Sequence, residues 1–128
     1  MINVVAAIIR NKDNKILIAQ RNLKKSQGGL WEFPGGKIES NETKEEAIIR
    51  EIKEELDMNI EVYSYFDEKL YEYPDKVINL IALNCTMLDD HYDVLEHEKV
   101  EWINKQEFDN FDFAPADVYF VNKLKSQQ

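Results

Sequence analysis

Residues Thr43–Leu56 place the strongest constraint on the fold, because their side chains follow the pattern of a long amphipathic helix. Thr43 followed by Glu46 is typical of a capping box, in which these two side chains bind free N–H groups at a helix start. Apolar residues recur at helical spacing and predict a stripe that packs against the rest of the protein. This stripe consists of Ile48, Ile49, Ile52 and Leu56, with Ile48 at its seam with the polar face.

Runs of β-branched and aromatic residues on either side of this helix supply the apolar surface that must cover it. Val4–Ile9 and Ile16–Ala19 predict two strands that form a hairpin around the turn residues Asn11–Asn14. Between the hairpin and the helix, Pro34-Gly35-Gly36 predicts a tight turn. The strands predicted beyond the helix are Glu61–Tyr73, Lys76–Leu88 and Val100–Ile103.

A second helix near the end of the chain decides the fold class. Pro115–Lys125 predicts a helix with proline in its first turn. Strands early and late, with two separated helices, favour an α/β fold in which a mixed β-sheet carries helices on both faces. The 128 residues contain no internal repeat and no low-complexity linker, which predicts a single domain over residues 1–128.

The charge balance disfavours some partners. The chain has 25 acidic and 16 basic residues, which gives a formal net charge of −9. Such a chain repels nucleic-acid polymers and anionic membranes, because binding to them depends on clustered Lys and Arg. A small anionic substrate remains compatible with this charge if metal ions neutralise its site. Alternatively, the charge only keeps the protein soluble.

Cysteine content and hydropathy favour a reducing compartment. Cys85 is the only cysteine, so an intrachain disulfide is excluded, and its apolar neighbours predict a buried, inert thiol. No stretch approaches the roughly 20 apolar residues of a membrane span. The N-terminal apolar run is short, has no basic region before it, and predicts a strand rather than a signal peptide. A cytoplasmic location is therefore expected.

Three carboxylates crowd one face of the first predicted helix. Glu51, Glu54 and Glu55 lie within roughly 100° of one another around the helix axis. They repel each other at neutral pH, so they either splay into water or converge on cations. Gly35-Gly36-Lys37, just before the helix, can aim a backbone carbonyl and an ammonium group at the same space. Hard cations such as Mg²⁺ bind through a few carboxylates together with substrate phosphates, which favours the second explanation.

The spacing of these residues resembles the Nudix box, Gly-x₅-Glu-x₇-Arg-Glu-U-x-Glu-Glu-x-Gly-U, where U is a bulky aliphatic residue. Eight of the nine defined positions agree. Asp57 is the departure, because the family usually has glycine at this helix end, where left-handed dihedrals suit glycine better than aspartate. The matching residues are Gly36, Glu42, Arg50, Glu51, Ile52, Glu54, Glu55 and Met58.

The resemblance covers nearly the whole chain and points to the MutT branch of the Nudix family. Residues 32–39, Tyr73-Pro74-Asp75 and Ala114–Asp117 look like segments of that branch. Its members are nucleoside triphosphate pyrophosphohydrolases that sanitise nucleotide pools, which links them to DNA repair. The resemblance implies a Nudix-like α/β/α sandwich, a nucleoside triphosphate substrate and Mg²⁺, with Mn²⁺ possible. It leaves open whether the protein is a monomer or a homodimer.

The resemblance also implies a metal site. Glu51, Glu54, Glu55 and the carbonyl of Gly35 would hold Mg²⁺ or Mn²⁺. The branch adds a glutamate from a loop before the last strand, and Glu96 fits that place best, with Glu98 as the alternative. Glu96 would be a ligand or the base that activates water, so Glu51 and Glu96 both remain candidate general bases.

Other residues receive supporting roles by resemblance. Arg50 would orient Glu51 by a charge-assisted hydrogen bond, although a plain surface salt bridge remains possible. Lys37 and Arg21 would face the phosphates, with a surface charge at a strand end as the alternative for Arg21. Glu42 is expected to fix the loop and the helix start.

No catalytic or binding role is expected for the two histidines and the two tryptophans. His91 and His97 lie in a predicted polar loop, and their spacing does not make a zinc motif. Trp31 and Trp102 are expected to be core residues rather than platforms for base stacking.

The implied reaction is attack of water on the β-phosphorus, which gives a nucleoside monophosphate and pyrophosphate. Asp117 sits where MutT itself carries an asparagine that reads oxidised guanine. An ionised Asp117 accepts hydrogen bonds, for example from the cytosine N4 amino group, and a protonated one can also donate. Alternatively, Asp117 only stabilises the start of the last helix through its dipole.

Several substrates and one non-enzymatic function therefore remain open. The expected substrate is 8-oxo-dGTP, and the alternative is (d)CTP or 5-methyl-dCTP. A sugar nucleotide or dinucleotide is less favoured, because the chain leaves no room for an extra recognition domain. A non-catalytic Nudix nucleotide-binding module would be expected to lose box glutamates, and all of them are present.

Overall fold

A computed structural model, which describes residues 1–127, shows one seven-stranded β-sheet with a helix on each face. The helices are α1 (Lys44–Leu56) and α2 (Pro115–Ser126), and a 3₁₀ helix spans Lys105–Asn110. The strands are β1 (Ile2–Arg10), β2 (Ile16–Gln20), β3 (Trp31–Glu32), β4 (Gly35–Lys37), β5 (Ile60–Tyr73), β6 (Lys76–Met87) and β7 (Lys99–Ile103).

The sheet is mixed, as the sequence predicts. Its main path runs β3-β2-β1-β6-β5, with β4 paired to β1 and β7 paired to β2. β1 and β6 are parallel from Ile2↔Ile78 to Arg10↔Thr86, and the other pairs are antiparallel. Because β6 occupies one edge of β1 over its whole length, β4 and β2 share the other edge. The short strand β4 is thereby held against the centre of the sheet, directly before α1.

Side chains of β1 alternate between two apolar layers and so explain the helices on both faces. Val5, Ala7 and Ile9 are fully buried in the layer under α1. Ala6 and Ile8 point the other way, into the layer under α2. Alternation of this kind follows from the two-residue repeat of a strand. The predicted α/β sandwich is confirmed.

The packed face of α1 is rotated from the predicted one. The capping box of Thr43 and Glu46 is present, as predicted. Ile49, however, is 44% exposed, so its assignment to the core stripe is wrong, whereas Ile48 is fully buried rather than at a seam. The buried face is centred near Ile48 and Ile52 and extends to Glu55, which is only 6% exposed. One of the three crowded carboxylates therefore faces inward.

The predicted tight turn at Pro34-Gly35-Gly36 is also wrong, because Gly35–Lys37 is a strand that pairs with β1. Neither glycine of β4 has a positive φ. Glycine is required because β1 lies so close to β4: a Cβ on Gly35 would lie 1.9 Å from the carbonyl oxygen of Val5. Glycine thus lets the backbone of β4 lie against β1 where a larger residue would collide.

Within the described residues, neither helix is long and apolar enough to cross a membrane. Cys85 is buried, as predicted, and burial raises the pKa of its thiol to about 12. Such a thiol stays protonated at neutral pH, which agrees with a packing role.

Candidate active site

Arg50 organises the junction between α1 and β4. Its guanidinium donates to both carboxylate oxygens of Glu42, at 2.6 and 3.0 Å, and to Glu51 at 2.8 Å. It also donates to the backbone carbonyl of Lys37 at 3.1 Å. These hydrogen bonds, led by the pair to Glu42, raise the pKa of Arg50 above its usual value. The predicted contact between Arg50 and Glu51 is confirmed, and Glu42 lies where it can fix the helix start, since it also accepts from the Glu39 N–H.

Gly36 is needed for the position of Glu51. A Cβ on Gly36 would lie 2.4 Å from Glu51 Oε2, so the carboxylate lies directly on the glycine backbone. With Arg50 on one side and Gly36 on the other, the Glu51 side chain is 16% exposed. Its orientation is therefore set by both α1 and β4.

Glu54 and Glu55 lie in contrasting environments. Glu54 is 55% exposed, and its contacts with Arg50 are long, at 3.4 to 3.5 Å. Glu55 is buried, and burial, followed by the hydrogen bond and charge of Glu51 and the charges of Glu32 and Glu96, raises its pKa above the usual value. Among residues 1–127, Glu55 Oε1 is a buried acceptor with no hydrogen-bond partner. A cation beside Glu55 would relieve both the repulsion and the missing partner.

The predicted loop glutamate Glu96 lies beside Glu55. Both line a small polar cavity of about 80 Å³, together with Gly35 and His97. Glu98 does not line this cavity, and its N–H donates to the carbonyl of Gln20. Carboxylates and a backbone carbonyl are the donors that hard divalent cations prefer, so the residues here fit such an ion. Glu51 and Glu54, the other two predicted ligands on α1, line neither this cavity nor the larger one described below. We call Gly35, Glu51, Glu54, Glu55 and Glu96 the candidate ligand set.

His97 and Glu32 are partly buried residues of this site that sequence reasoning missed. His97 lies in a polar loop, as predicted, but its side chain is turned inward and is only 6% exposed. Its Nε2 lies 3.0 Å from Glu32 Oε2 and 3.9 Å from Glu55 Oε1. Burial alone would raise the pKa of Glu32, but hydrogen bonds and charge from His97 and Arg21 hold it below its usual value. Glu32 lies between the buried side chains of Trp31 and Phe33, so strand alternation could have placed it on the opposite face.

Asp57, His91 and Asp93 form a second group that could hold a metal ion, at the end of α1. One ligand atom from each lies within 4.8 Å of the others. Asp57 adopts the left-handed conformation that suits glycine better, with φ 48° and ψ 40°, so the helix end keeps the family's geometry despite the departure. Lys53 Nζ lies 3.0 Å from Asp57, so an ammonium group already offsets part of this charge. His91 Nε2, at 2.9 Å from Asp57, joins the loop after β6 to the helix end.

A larger cavity of about 350 Å³ opens next to the candidate ligand set. Its volume lies in the range of ligand pockets, and its lining combines apolar residues with a few polar groups, as such pockets do. The lining includes Arg21, Phe33, Tyr73, Ile78, Leu80 and Asp117. Gly35 and Gly36 line it as well, so this cavity is continuous with the carboxylate side of β4.

Asp117 is the buried polar side chain of the larger cavity. Its Oδ1 accepts from the Phe33 N–H at 3.0 Å. Burial, together with the charge of Glu32, raises the pKa of Asp117 to about 8. At pH 7 the carboxyl is therefore largely neutral, which disfavours a simple role as a charge that stabilises the start of α2.

The two predicted phosphate-facing cations occupy different places. Arg21 lines both cavities, and its guanidinium donates to Glu32 at 2.9 Å and to the Ser26 carbonyl at 2.9 Å. Lys37 is exposed and lines neither cavity. Trp31 is buried in the core, as predicted, and Trp102 packs at the edge of the other layer with its Nε1 donating to Tyr92.

The fold and the site define a class of proteins, namely α/β sandwiches in which a glutamate-rich helix packs against a glycine-containing strand of a mixed sheet. A family model described as NUDIX domain matches residues 5–123. The chain belongs to the Nudix family of hydrolases, whose members generally use divalent metals. The family resemblance inferred from the sequence is thereby confirmed.

Relatives of known name match this chain over most of its length. The CTP pyrophosphohydrolase of Escherichia coli K12 is 39% identical over 92% of this chain and 87% of its own length. The 8-oxo-dGTP diphosphatase of the same organism is 34% identical over 97% of this chain and 96% of its own. The solution structure of a Nudix hydrolase named MutT from methicillin-resistant Staphylococcus aureus is 42% identical, with a TM-score of 0.78 over 99% of this chain and 97% of that one.

The raised pKa of Asp117 predicts how stability depends on pH. In the unfolded chain this carboxyl has a pKa near 3.8, so between about pH 4 and pH 8 the folded state binds more protons than the unfolded state. The favourable contribution of Asp117 is complete below the unfolded pKa and is lost as pH rises through the folded pKa. Asp117→Asn keeps an oxygen for the Phe33 N–H and removes this titration. We expect the variant to gain Tm relative to the wild type as pH rises from about 5 to about 9.

The exposed Asp112, mutated to Asn, is a matched control, because it lies in the same segment and is not buried. Thermal unfolding of the three proteins across this pH range tests the expectation. A Tm difference between Asp117→Asn and the wild type that stays constant with pH would show that Asp117 is ionised in the folded protein at neutral pH.

Proposed function

We propose that this protein hydrolyses a nucleoside triphosphate to a nucleoside monophosphate and pyrophosphate, with Mg²⁺ or Mn²⁺ held by the candidate ligand set. The observation that carries the proposal is the buried Glu55, which faces Glu51, Glu32 and Glu96 and has an Oε1 without a hydrogen-bond partner within residues 1–127. In its ionised form such a group is costly to bury unless a cation binds beside it. The named relatives, matched over most of their length, support the substrate class.

The residues around the metal have distinct proposed roles. Gly35, through its carbonyl, and the glutamates Glu51, Glu54, Glu55 and Glu96 would hold the cation. When bound, the cation lowers the pKa of coordinated water and offsets the charge of the phosphates. Glu51 or Glu96 would take the proton from the water that attacks the β-phosphorus, since both belong to the same site.

Basic residues support this chemistry. Arg50 orients Glu51 through the hydrogen bond at 2.8 Å. Arg21, which lines both cavities, is proposed to meet the phosphates where the two cavities join. Lys37 is exposed and would have to turn toward a bound triphosphate to contribute, which a flexible lysine side chain permits.

The base is proposed to lie in the larger cavity against Asp117. 8-Oxo-dGTP is the first candidate substrate, and its removal would keep the nucleotide pool free of an oxidised precursor. (d)CTP or 5-methyl-dCTP is the second candidate. The ionised form of Asp117 supports it, because a carboxylate can accept from the cytosine N4 amino group, and so does the 39% identity to a CTP pyrophosphohydrolase.

The assembly of the protein is also a proposal. We propose that residues 1–128 form a single domain that acts as a monomer or a homodimer, without a nucleic-acid polymer or a membrane as partner. The single sheet that joins all seven strands supports the single domain. The net charge of −9 disfavours nucleic-acid polymers and anionic membranes as partners.

A substrate panel scored for pyrophosphate tests the proposed function. Oxidised, methylated and ordinary nucleoside triphosphates are incubated with the protein and Mg²⁺, and again with EDTA. We expect pyrophosphate, and not inorganic phosphate, from at least one nucleotide, with the release abolished by EDTA. Release that persists in EDTA, or no release from any triphosphate, contradicts the proposal.

The two glycines of β4 give a paired prediction. In Gly36→Ala the new Cβ meets the flexible end of Glu51, so we expect Glu51 to move and kcat/KM to fall about 10- to 100-fold, with little loss of Tm. In Gly35→Ala the new Cβ meets the backbone of Val5, so we expect a large loss of Tm. Thermal unfolding and pyrophosphate release on both variants separate the two effects. Equal changes of Tm and kcat/KM in the two variants would contradict the predicted difference.

A further inference from the structure

Two ionisable side chains outside the candidate ligand set are buried beside it. The side chains of His97 and Glu32 are 6% and 16% exposed, although Glu96 and Glu98, on either side of His97, are exposed. Ionisable groups are rarely buried unless they are paired, and a histidine in an acidic loop has no packing reason to turn inward. Its inward position therefore indicates a specific partner.

Hydrogen-bond geometry fixes how His97 acts. Its Nε2 faces two carboxylate oxygens, Glu32 Oε2 at 3.0 Å and Glu55 Oε1 at 3.9 Å. An ionised carboxylate only accepts, so the Nε2 atom must carry the proton and donate it to Glu32. The N–H then lies between two acidic groups and reduces the repulsion between them. His97 Nδ1, on the other side of the ring, has no hydrogen-bond partner among the described residues.

Glu32 is held from both ends and is thereby kept out of the candidate ligand set. Its Oε1 accepts from Arg21 Nη1 at 2.9 Å, while its Oε2 accepts from His97. Moving Glu32 onto a cation would break both hydrogen bonds. Glu32 thus anchors His97, and Arg21 anchors Glu32 to the end of β2.

This arrangement acts on two members of the candidate ligand set. Glu55 Oε1 has no hydrogen-bond partner within residues 1–127, and His97 Nε2, whose N–H donates to Glu32, lies 3.9 Å from it. Glu96 is the chain neighbour of His97, so burying the imidazole fixes the backbone from which the exposed Glu96 extends. The same loop is tied to α1 by the Leu95 N–H, which donates to the Glu55 carbonyl at 3.0 Å.

We propose that His97, anchored by Glu32, is a positioning residue that holds Glu55 and Glu96 in the arrangement required for binding the divalent cation. The inference rests on the proposed function, because it concerns the same metal site. The Nε2–H of His97 donates a hydrogen bond to Glu32, and His97 does not itself bind the metal. Its loss therefore weakens metal binding without removing a ligand.

Amide variants test this role, because they place a donor at different points along the side chain. The amide nitrogen of Gln lies near the position of histidine Nε2, and that of Asn lies near the position of Nδ1. Mn²⁺ alone is the probe, and the free ion is measured by electron paramagnetic resonance. We expect His97→Leu and His97→Asn to bind Mn²⁺ about 10- to 100-fold more weakly, as supporting residues of metal sites do, and His97→Gln to recover most of the affinity.

Kinetics and a matched control complete the design. The Mg²⁺ concentration for half-maximal rate should rise with the Mn²⁺ Kd in His97→Leu, while KM for the nucleotide at saturating Mg²⁺ stays within about 2-fold of the wild type. Val94→Ala, which shortens an exposed side chain of the same loop outside both candidate metal groups, should leave the Mn²⁺ affinity unchanged. If His97→Leu does not fold, the comparison of the Gln and Asn variants decides the question.

Wild-type affinity in the Leu or Asn variant overturns the inference. So does a Gln variant that binds as weakly as Asn while melting at the wild-type temperature, and so does a loss of affinity found in Val94→Ala alone. Pyrophosphate release by the wild type is measured in parallel. Mn²⁺ binding without any hydrolysis contradicts the proposed function alone, whereas normal hydrolysis with unchanged Mn²⁺ affinity in His97→Asn contradicts this inference alone.

Discussion

Glu54→Gln is expected to lower kcat/KM for the preferred nucleoside triphosphate by at least about 100-fold, which corresponds to about 3 kcal/mol of lost transition-state stabilisation. The physical reason is that glutamine keeps the shape of the side chain and removes the negative charge offered to the cation. The side chain of Glu54 is more than half exposed, and its carboxylate lies at least 3.4 Å from the guanidinium of Arg50. An exposed ion pair of this kind contributes at most about 1 kcal/mol to stability. A loss of activity of this size cannot therefore come from unfolding.

The matched control for this variant is Glu45→Gln. Glu45 lies in the first turn of α1, is exposed, and is not part of the candidate ligand set. Its loss costs the helix dipole interaction, about 0.5 kcal/mol, and should leave turnover unchanged. Pyrophosphate release is measured at rising Mg²⁺ concentration, where Glu54→Gln should recover part of its rate. Full turnover in Glu54→Gln at low Mg²⁺ would contradict the proposal that α1 helps to hold the metal.

The carboxylates of α1 could be predicted from the sequence because their information is local. Glu51, Glu54 and Glu55 share a helix face through the fixed angle between residues, and the spacing from Gly36 to Glu55 specifies the motif. The capping box depends on local backbone geometry in the same way. Periodicity alone, however, left the core face of α1 wrong at Ile49.

The error at Ile49 has a tertiary cause. Glu55 lies on the face that packs toward the sheet, and apolar periodicity assigns such a residue to the solvent side. The sheet accepts Glu55 because His97 and Glu32, distant in sequence, surround it with polar groups. Contacts between β3, α1 and the loop before β7 are not encoded in any one segment. For the same reason the histidine loop could be predicted to be polar but not to be turned inward.

The role of β4 was also beyond local reasoning. Two adjacent glycines and a proline are typical of a turn, and in isolation that interpretation is sound. What the sequence does not reveal is that β1 and Glu51 approach from either side, closer than a Cβ would permit at Gly35 and Gly36. A glycine required by close approach and a glycine required by a positive φ look identical in a sequence.

The second large effect is expected at Asp117. The wild-type carboxyl has a pKa of about 8, so at pH 7 it is largely neutral and can donate from the oxygen that does not accept the Phe33 N–H. As pH rises through 8 the carboxyl ionises, loses that donor, and becomes a stronger acceptor for an amino group. We therefore expect the ratio of kcat/KM for CTP to that for 8-oxo-dGTP to rise between about pH 7 and about pH 9.

Asp117→Asn removes this titration and fixes the donor. The asparagine oxygen can accept from Phe33, which leaves only an NH₂ group facing the cavity, so an amino group of cytosine would meet a donor instead of an acceptor. A good pair of hydrogen bonds to a base gives about 1–3 kcal/mol of discrimination, so the CTP to 8-oxo-dGTP ratio should fall about 5- to 100-fold. The ratio in the variant should also stop changing with pH. A wild-type ratio in Asp117→Asn at every pH would mean that the base lies elsewhere. The buried Asp117 would then only join α2 to β3.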